Sequence, residues 1–485
     1  MAAVQTSPVA ECPPEHQLSG AAIARDVATL GSGTLLATVF GVLQVFLIPR
    51  LVSVEDFGHW RLFLLYVGYV GIAHLGFADG ALLCWAGQPF ESFRGETGTA
   101  LRFLWGQQAV LLLPACILAA VFIPSRLRFV ALAVLCFGVI ANTVTLLQYS
   151  LQAARQFAPV AATTAVPLAV VVAFTFLWSL KAVPSYQVLI CLYFLAWSGV
   201  MAYLLYRVKP GHAGSESLWG LGGRFIALGW PVVISNTNMG VVQTADRLVV
   251  GAFLPIYDFA QYSLAASAMF VPLTAILTVS RVFFPHMAAL QAENHRKAYG
   301  GASRLLLLAW SLLLPYYFVL SLVVRHWLPK YTPGLPVAAV LLFGVIFLGG
   351  IQVLHITFFN LYRRQRRFLA LSIAALAASL LLIVPTAIRF RSLTAVAAAQ
   401  AVSFLLWWAL NEWELRHITG QRWDDWLRIA MVFAWSVAVF LLSLRFVPGT
   451  VLQIFAYYLV ASPPLALAFR NEFRSLGRMF LGQTR

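Results

Sequence analysis

The sequence predicts an all-α polytopic membrane protein with about 14 transmembrane helices, built as two parallel six-helix halves plus two C-terminal helices. Of its 485 residues, 61% are hydrophobic and 10% are charged, whereas about a quarter of the residues of an ordinary soluble protein are charged. Apolar runs of membrane-spanning length recur along the chain, and short motifs of its first part return in its second. The composition therefore excludes a water-soluble domain.

Each predicted span is an apolar run bounded by charged residues, proline or glycine, and is long enough to cross a bilayer once tilt is allowed. The spans are 27–48, 62–83, 103–123, 129–151, 160–178, 187–206, 225–253, 259–280, 305–324, 335–359, 368–388, 395–410, 427–444 and 451–469. They divide the chain into a cytoplasmic tail (1–26), an N-terminal half (27–210), a C-terminal half (211–426), two additional helices (427–469) and a basic cytoplasmic tail (470–485). No connection is long enough for a separate domain, so any function lies within the helix bundle.

The basic excess indicates orientation. A net charge of +16 would suggest nucleic-acid binding in a soluble domain, but cytoplasmic loops of membrane proteins accumulate Lys and Arg. With the N-terminus inside, roughly two thirds of the 33 Lys and Arg residues fall on the cytoplasmic side. Both termini are therefore predicted to be cytoplasmic, and no nucleic-acid partner is expected. The first 26 residues lack the apolar core of a signal peptide, so the first span is expected to direct its own insertion.

Three short repeats support the division into halves. DFGHW at 56–60 returns as DFAQY at 258–262, GVLQ at 41–44 as GVVQ at 240–243, and RQF at 155–157 as RRF at 366–368. Their common order indicates that six helices were duplicated. A repeat with an even number of helices keeps its orientation, so the halves should be related by an axis along the membrane normal, with a cavity between them.

Polar side chains inside the spans are the candidate functional residues, because a polar group in hydrocarbon is costly unless it is satisfied. The candidates for lining a substrate cavity are Asn142, Gln148, Asn236, Asn238, Gln243, Gln352, His355, Arg25, Arg247 and Arg281. Asp79 and Asp246 are the acids well inside spans and are candidates for coupling transport to an ion gradient. The alternatives are interhelical hydrogen bonds, buried ion pairs and arginines that anchor span ends.

Known catalytic and nucleotide-binding signatures are not found in the sequence: it has no HExxH, P-loop or Rossmann glycine pattern. The five cysteines do not have the spacing of a disulfide framework or a metal site. We therefore expect a protein that is not an enzyme and needs no metal or cofactor.

Two segments resemble a known family. Residues 46–79, FLIPRLVSVEDFGHWRLFLLYVGYVGIAHLGFAD, resemble the opening of bacterial polysaccharide-transport proteins, and residues 244–263, TADRLVVGAFLPIYDFAQYS, are similar to the junction of their seventh and eighth helices. The FFP at 283–285 is similar to the residues that follow the eighth helix. This sequence departs from the family at Ala260, where the second acidic-aromatic turn commonly has glycine.

The resemblance implies a lipid-linked oligosaccharide flippase of the multidrug/oligosaccharidyl-lipid/polysaccharide exporter superfamily. It implies movement of an undecaprenyl-diphosphate-linked repeat unit across the bacterial inner membrane, with the bilayer and a polysaccharide polymerase or export machinery as partners. Asp246 and Arg247 match the family's acidic-basic pair in the seventh helix, and Asp79 falls in the turn that ends the second. The alternatives are export of a small amphipathic compound and a membrane-embedded glycan polymerase or acyltransferase.

Overall fold

The computed structural model describes residues 20–211, 217–288, 292–420 and 423–470; the side chains at 20–28, 30, 275, 278–288, 292–293 and 423–429 lie outside this description, as do most of the two predicted cytoplasmic tails. The helices are α1 (Gly20–Leu51), α2 (Val54–Val67), α3 (Phe77–Trp85), α4 (Phe90–Phe122), α5 (Ser125–Ala153), α6 (Phe157–Ser179), α7 (Tyr186–Val208), α8 (Leu218–Phe253), α9 (Ile256–Ala288), α10 (Ala292–Leu313), α11 (Tyr316–Trp327), α12 (Leu335–Gly350), α13 (Ile356–Leu361), α14 (Gln365–Phe390), α15 (Leu393–Thr419), α16 (Trp423–Phe446) and α17 (Thr450–Ala468). Shorter 3₁₀ turns occupy Val70–His74 and Pro329–Gly334, and a π-helical turn occupies Ile351–His355.

The prediction of an all-helical, multi-pass membrane protein is confirmed. Within the described ranges, 11 helices are long and apolar enough to cross a membrane, or 12 if one bent pair counts as a span. Each predicted span falls on one helix or on consecutive helices. The predicted number of 14 is not confirmed; the apolar part of α16, Ala430–Phe446, is shorter than the others.

The second predicted span is broken. Between α2 and α3 the axis bends by 62°, and the chain passes through the left-handed region at Leu75 (φ 51°) and Gly76 (φ 83°). A break at membrane depth frees backbone carbonyls that have no helical partner, and these must be satisfied from elsewhere. The apolar composition of the segment gave no sign of this bend.

Amides from neighbouring helices satisfy the broken turn. Asn142 Nδ2 on α5 donates to the Val70 carbonyl at 3.1 Å, and Gln108 Nε2 on α4 donates to the Ala73 carbonyl at 3.0 Å. Asn142 also donates to Gln108 Oε1 at 2.9 Å. Both amides are about 1% exposed. They therefore form a buried polar layer that holds α4 and α5 against the bend.

The two predicted halves meet along α2 and α3 on one side and α8 and α9 on the other. The contact of α3 with α8 is very close: a Cβ atom added at Gly80 would lie 1.8 Å from the Phe225 carbonyl oxygen, and one at Gly229 would lie 1.8 Å from the Gly76 carbonyl oxygen. Glycine is required here because any side chain would separate the two helices.

The connection after the fourth predicted span has the same geometry as the one after the tenth. Arg155 (φ 58°) and Arg363 (φ 55°) both adopt the left-handed conformation. The next residue bonds back to the helix in each case, Gln156 N to Leu151 O and Arg364 N to Phe359 O, both at 2.8 Å. The geometric counterpart of Arg155 is therefore Arg363, whereas the sequence match had paired Arg155 with Arg366.

Candidate functional site

A basic pocket lies between the two halves. Its lining residues come from α2, from the turn after α2, and from α8 and α9: Arg61, Leu64, Leu65, Gly68, Tyr69, Gly240, Thr244, Arg247 and Ser263. The volume is about 220 Å³. We call this cavity the arginine pocket.

The three helices bring their polar residues to one depth. Arg61 is seven residues from the start of α2, Arg247 is six residues from the end of α8, and Ser263 is seven residues from the start of α9. At 1.5 Å per residue, each is about 10 Å from the same end of the bundle. The pocket therefore lies at one level of the bundle, inward of the end at which α2 and α9 begin and α8 ends.

The guanidinium groups of the pocket are only partly satisfied. Arg61 donates to the Ser267 hydroxyl, and Arg247 Nη2 donates to the Gln243 carbonyl at 3.5 Å. Neither Nε atom has a hydrogen-bond partner among the described residues. Buried donors without partners are costly, particularly on charged groups. Both side chains nevertheless line the pocket, and guanidinium groups at a cavity favour an anion.

The neighbouring acid does not neutralise both arginines. Asp246 Oδ1 accepts from the backbone N of Arg247 at 2.7 Å, and Oδ2 accepts from the Tyr262 hydroxyl at 2.7 Å. Its nearest guanidinium atom, Arg247 Nε, is 4.0 Å away. Two guanidiniums and one carboxylate leave a net positive charge at the pocket.

A second chamber continues from the pocket along α1. It has a volume of about 330 Å³ and is lined by Thr34, Ala37, Thr38, Gly41, Val42 and Val45 of α1 and by Ser267, Phe270, Val271 and Thr274 of α9. Ser267 links the two spaces, because it accepts from Arg61 and lines the chamber. The Arg247 guanidinium lies 5.2 Å from the centre of the Phe270 ring. The path between the halves is thus basic at one end and mainly apolar along α1.

The repeated sequence motifs supply residues that line the arginine pocket and the second chamber. Arg61 and Ser263 follow the two acidic-aromatic motifs at the same position, 202 residues apart, and both line the arginine pocket. Gly41 and Gly240 begin the second pair of motifs, and they line the chamber and the pocket, respectively. Equivalent positions in the two repeats therefore face a shared space between the halves.

Three contacts join the two halves at the end of the bundle nearest the pocket. The Lys330 ammonium group donates a hydrogen bond to the Val52 carbonyl. Arg50 Nη1 donates a hydrogen bond to the Trp327 carbonyl at 3.2 Å. The Phe57 and Tyr331 rings pack edge to face at 5.5 Å. These contacts join the first two helices of the N-terminal half to the segment around Pro329–Gly334 of the C-terminal half.

Most of the sequence-predicted cavity residues lie elsewhere. Asn142 bonds to the broken turn, Gln148 Nε2 donates to Thr163 Oγ1 at 2.9 Å, and Asn238 Nδ2 donates to Ser372 Oγ at 2.8 Å. These are interhelical hydrogen bonds of the kind that joins helices within a membrane.

The remaining candidates are distributed along the bundle. Asn236 is exposed on α8, Gln243 is half-buried one turn from Arg247, and Gln352 is half-buried in the π-helical turn. Arg247 lines the arginine pocket. The side chains of Arg25 and Arg281 lie outside the described residues.

His355 belongs to a buried ionic cluster in the C-terminal half. Glu412 Oε2 accepts from the Tyr299 hydroxyl at 2.5 Å and lies 3.1 Å from His355 Nε2, while Oε1 accepts from Arg416 Nε at 2.8 Å. The exposed fractions of His355, Glu412 and Arg416 are 5% or less. The π-helical turn, which shifts the helix register, presents His355 to α15.

Asp79 lies in the N-terminal half, at the start of α3. It is 7% exposed, and its carboxylate is 3.8 Å from His74 Nε2. His74 Nδ1 in turn accepts from the backbone N of Gly76 at 3.1 Å. The two candidate coupling acids, Asp79 and Asp246, are thus in different halves, and neither lines the arginine pocket.

Sequence reasoning did not select Arg61, Tyr69, Ser263 or Ser267. Arg61 follows a loop, where an arginine commonly anchors the end of a span. The repeat was the available signal, since Arg61 and Ser263 occupy equivalent positions. No group of three or more His, Cys, Asp or Glu side chains that could hold a metal ion occurs in the described part of the chain.

Several solved structures share the fold. The chain is similar to the lipid II flippase MurJ in an inward closed conformation, with a TM-score of 0.73 and 13% identity over 92% of this chain and 100% of that chain. It is also similar to the multidrug transporter DinF-BH of the MATE type (TM-score 0.53, 14% identity, 85% of this chain and 100% of that one). A MATE protein in complex with MaD3S has a TM-score of 0.52 and 11% identity, over 82% of this chain and 96% of that one.

No curated protein matches the sequence. Residues 47–331 match a protein family that is described as polysaccharide biosynthesis protein. This region includes α2 to α9 in full and therefore every residue that lines the arginine pocket. The chain belongs to the polysaccharide biosynthesis protein family.

Proposed function

We propose that this protein flips a lipid-linked oligosaccharide, carried on undecaprenyl diphosphate, across the bacterial inner membrane for export of a cell-surface polysaccharide. The observation that carries the proposal is the arginine pocket: two partly satisfied guanidiniums between two halves of a membrane-spanning bundle. The family and the fold shared with the lipid II flippase MurJ support this reading.

The physical problem is the polar head. A sugar-phosphate group crossing the hydrocarbon core loses its water, and each unsatisfied polar group costs several kcal/mol. A guanidinium binds phosphate through two parallel N–H bonds and remains charged at physiological pH. Arg61 and Arg247 would neutralise the diphosphate, while the lipid chain stays in hydrocarbon. Rocking of the halves would expose the path alternately to each side.

The proposed orientation places both termini in the cytoplasm. The arginine pocket then lies near the periplasmic side, where the Arg50 and Lys330 contacts hold the two halves together. Opening requires these contacts to break and the close α3–α8 contact to move or hinge. A glycan polymerase or export machinery would receive the product on the far side.

Asp79 and Asp246 remain the proposed coupling residues, one in each half. An acid in a low-dielectric span changes its environment when the halves move, so its protonation or ion binding can drive the cycle. Asp79→Asn and Asp246→Asn, expressed at normal levels, should impair transport. Full activity in both variants would refute coupling through these acids.

Two alternative functions fit the protein less well. The fold is shared with MATE multidrug transporters, but a pocket with a net positive charge disfavours cationic compounds and favours anionic ones. A membrane-embedded polymerase or acyltransferase is disfavoured, because the solved structures that share the fold are a flippase and multidrug transporters.

The decisive experiment measures transport of an undecaprenyl-diphosphate-linked sugar in vesicles that contain the purified protein. Arg61→Gln and Arg247→Gln should each reduce transport about 10- to 100-fold, since a hydrogen bond to a charged group contributes about 1.5–3 kcal/mol. Arg445→Gln, at an exposed position at the end of α16, is the matched control and should be unaffected. Wild-type transport by the Arg61/Arg247 double variant would refute the proposal.

A further inference from the structure

A large apolar groove lies beside the arginine pocket, on the N-terminal half. It is formed by α2 and the turn that follows it, by α4 and α5, and by the end of α8, and its volume is about 650 Å³. Among its lining side chains, the only polar atoms are the hydroxyls of Tyr66 and Tyr69. A space of this composition holds hydrocarbon rather than water. We call it the apolar groove.

The apolar groove opens on the outer surface of the bundle. Leu62 and Val130, which are 3% and 2% exposed, lie at its floor, and Tyr66 and Ile72, which are 37% and 39% exposed, lie at its mouth. The outer surface of a membrane-spanning bundle faces lipid chains. A lipid chain can therefore enter the groove from the bilayer without crossing a polar region.

The groove and the arginine pocket adjoin at one residue. Tyr69 lines both spaces. Its hydroxyl bonds to the Thr244 hydroxyl and lies 3.4 Å from the Gly240 carbonyl oxygen. This contact joins the broken second span of the N-terminal half to α8 of the C-terminal half. The apolar groove and the arginine pocket are thus both lined by α2, and Tyr69 is the lining residue that they have in common.

Tyr69 also lies where the helix is interrupted. α2 ends at Val67, and Tyr69 immediately precedes the 3₁₀ turn Val70–His74. Beyond it, the turn carbonyls bond to side-chain amides of α4 and α5. The ring is therefore attached to a joint in the backbone, so a change in the bend between α2 and α3 displaces it relative to Thr244.

We propose that the apolar groove holds the long hydrocarbon chain of the anionic lipid whose phosphate group occupies the arginine pocket, with the Tyr69–Thr244 contact as the seam at which chain and head group join. This inference rests on the proposed function and adds to it the location of the lipid chain. It places the chain against α2, α4 and α5, and it assigns Tyr69 to the passage between the two spaces.

Two features favour a substrate chain over bulk lipid. The groove adjoins a site of opposite polarity that would take a phosphate, so one amphipathic molecule satisfies both. A chain that moves from the bilayer into an apolar groove gains little hydrophobic free energy, because lipid tails are as apolar as the lining side chains. The groove therefore holds the chain beside the pocket that binds the head group. It selects molecules that have both a long hydrocarbon chain and a phosphate head group.

The test fills the groove without touching the pocket. Gly138 on α5 lines the groove, and a Cβ atom added there would lie 3.4 Å from Leu112 Cδ1 and 3.6 Å from Val70 Cβ, which are ordinary contacts. Gly138→Leu therefore projects a side chain into the groove. Ala131→Phe, two turns away on the same face of α5, is a second variant. Gly106→Leu is the matched control, because a Cβ atom at Gly106 meets no atom within 4 Å.

Two ligands separate the chain from the head group: undecaprenyl diphosphate, and the short-chain geranyl diphosphate, which tests the pocket alone. Affinities are measured with the purified protein in nanodiscs. Gly138→Leu or Ala131→Phe should weaken binding of undecaprenyl diphosphate about tenfold or more, because the added side chain takes the space that the lipid chain needs while its head group is in the pocket. Both should leave binding of geranyl diphosphate at the level of Gly106→Leu.

The same experiment distinguishes the two levels of proposal. If neither groove variant weakens the long-chain ligand more than the short-chain ligand, the assignment of the groove is overturned and the proposed function stands. If Arg61→Gln and Arg247→Gln leave both affinities unchanged, the proposed function itself fails.

Discussion

Two buried arginine sites in this protein have opposite surroundings. Arg416 in the C-terminal half donates to Glu412 at 2.8 Å, and the same carboxylate bonds to Tyr299 and contacts His355. Arg61, between the halves, donates to a serine hydroxyl, and its Nε atom has no partner in the described ranges. The charge of Arg416 is therefore paired with a carboxylate of the protein, whereas Arg61 bonds to an uncharged hydroxyl.

The difference separates structure from binding. A buried charge is tolerated when the protein supplies its counter-charge and hydrogen bonds. A buried charge without them, beside a cavity, is tolerated only if something from outside completes it. The Glu412 cluster is therefore expected to stabilise the C-terminal half, and the arginine pocket is expected to bind an anion at a cost in stability.

The largest effect is expected at the balanced site. Glu412→Gln leaves Arg416 and His355 without their carboxylate, and breaking a buried pair in this way costs about 3–5 kcal/mol. The thermal unfolding midpoint of the purified protein should fall accordingly. Glu91→Gln is the control, because Glu91 forms an exposed pair with Arg94, and exposed pairs contribute at most about 1 kcal/mol. Equal midpoints for the two variants would contradict the comparison.

At the unbalanced site, stability and binding should change in opposite directions. Arg61→Met replaces a poorly satisfied charge by an apolar side chain of similar length, so the unfolding midpoint should stay unchanged or rise. Affinity for undecaprenyl diphosphate should fall about tenfold or more. A midpoint that falls as far as that of Glu412→Gln would mean that Arg61 is a structural residue like Arg416.

The smallest effect is expected at the residue that orients Arg61. Ser267→Ala removes a hydroxyl that accepts from the guanidinium and leaves the helix intact. A single hydrogen bond contributes about 0.5–1.5 kcal/mol, so affinity should change only about two- to tenfold. Ser303→Ala on α10 is a suitable control, because Ser303 bonds only to its own helix at Tyr299 O, among the contacts that the structure describes. An effect as large as that of Arg61→Met would assign Ser267 a direct contact with the ligand.

The helices were predictable because membrane insertion imposes a strong local rule. Each span needs a continuous apolar run, and each predicted run falls on helix. The repeats also paired α1 with α8 and α2 with α9. The break after Val67 was not predictable in this way, because the residues on both sides of it remain apolar and the interruption depends on amides from α4 and α5.

The candidate site was predictable by residue type but not by residue. Asn142 and His355 were chosen for the same reason as Arg247, that they are polar residues in apolar helices. Tertiary contacts then divide them: Asn142 bonds to the broken turn, His355 joins the Glu412 cluster, and Arg247 faces the pocket. The position of a polar residue around its helix does not show which neighbouring helix its side chain contacts.

By itself, the sequence determined that this is an all-helical membrane protein of the polysaccharide biosynthesis family, with its charge concentrated at span ends, because insertion into a bilayer selects composition and span length locally. Only the tertiary structure decided which polar groups form hydrogen bonds within the protein and which line a cavity where a ligand can bind. The reason is that hydrogen bonds in a membrane form between helices distant in sequence, and satisfaction of a buried donor such as Arg61 Nε is a property of the assembled bundle.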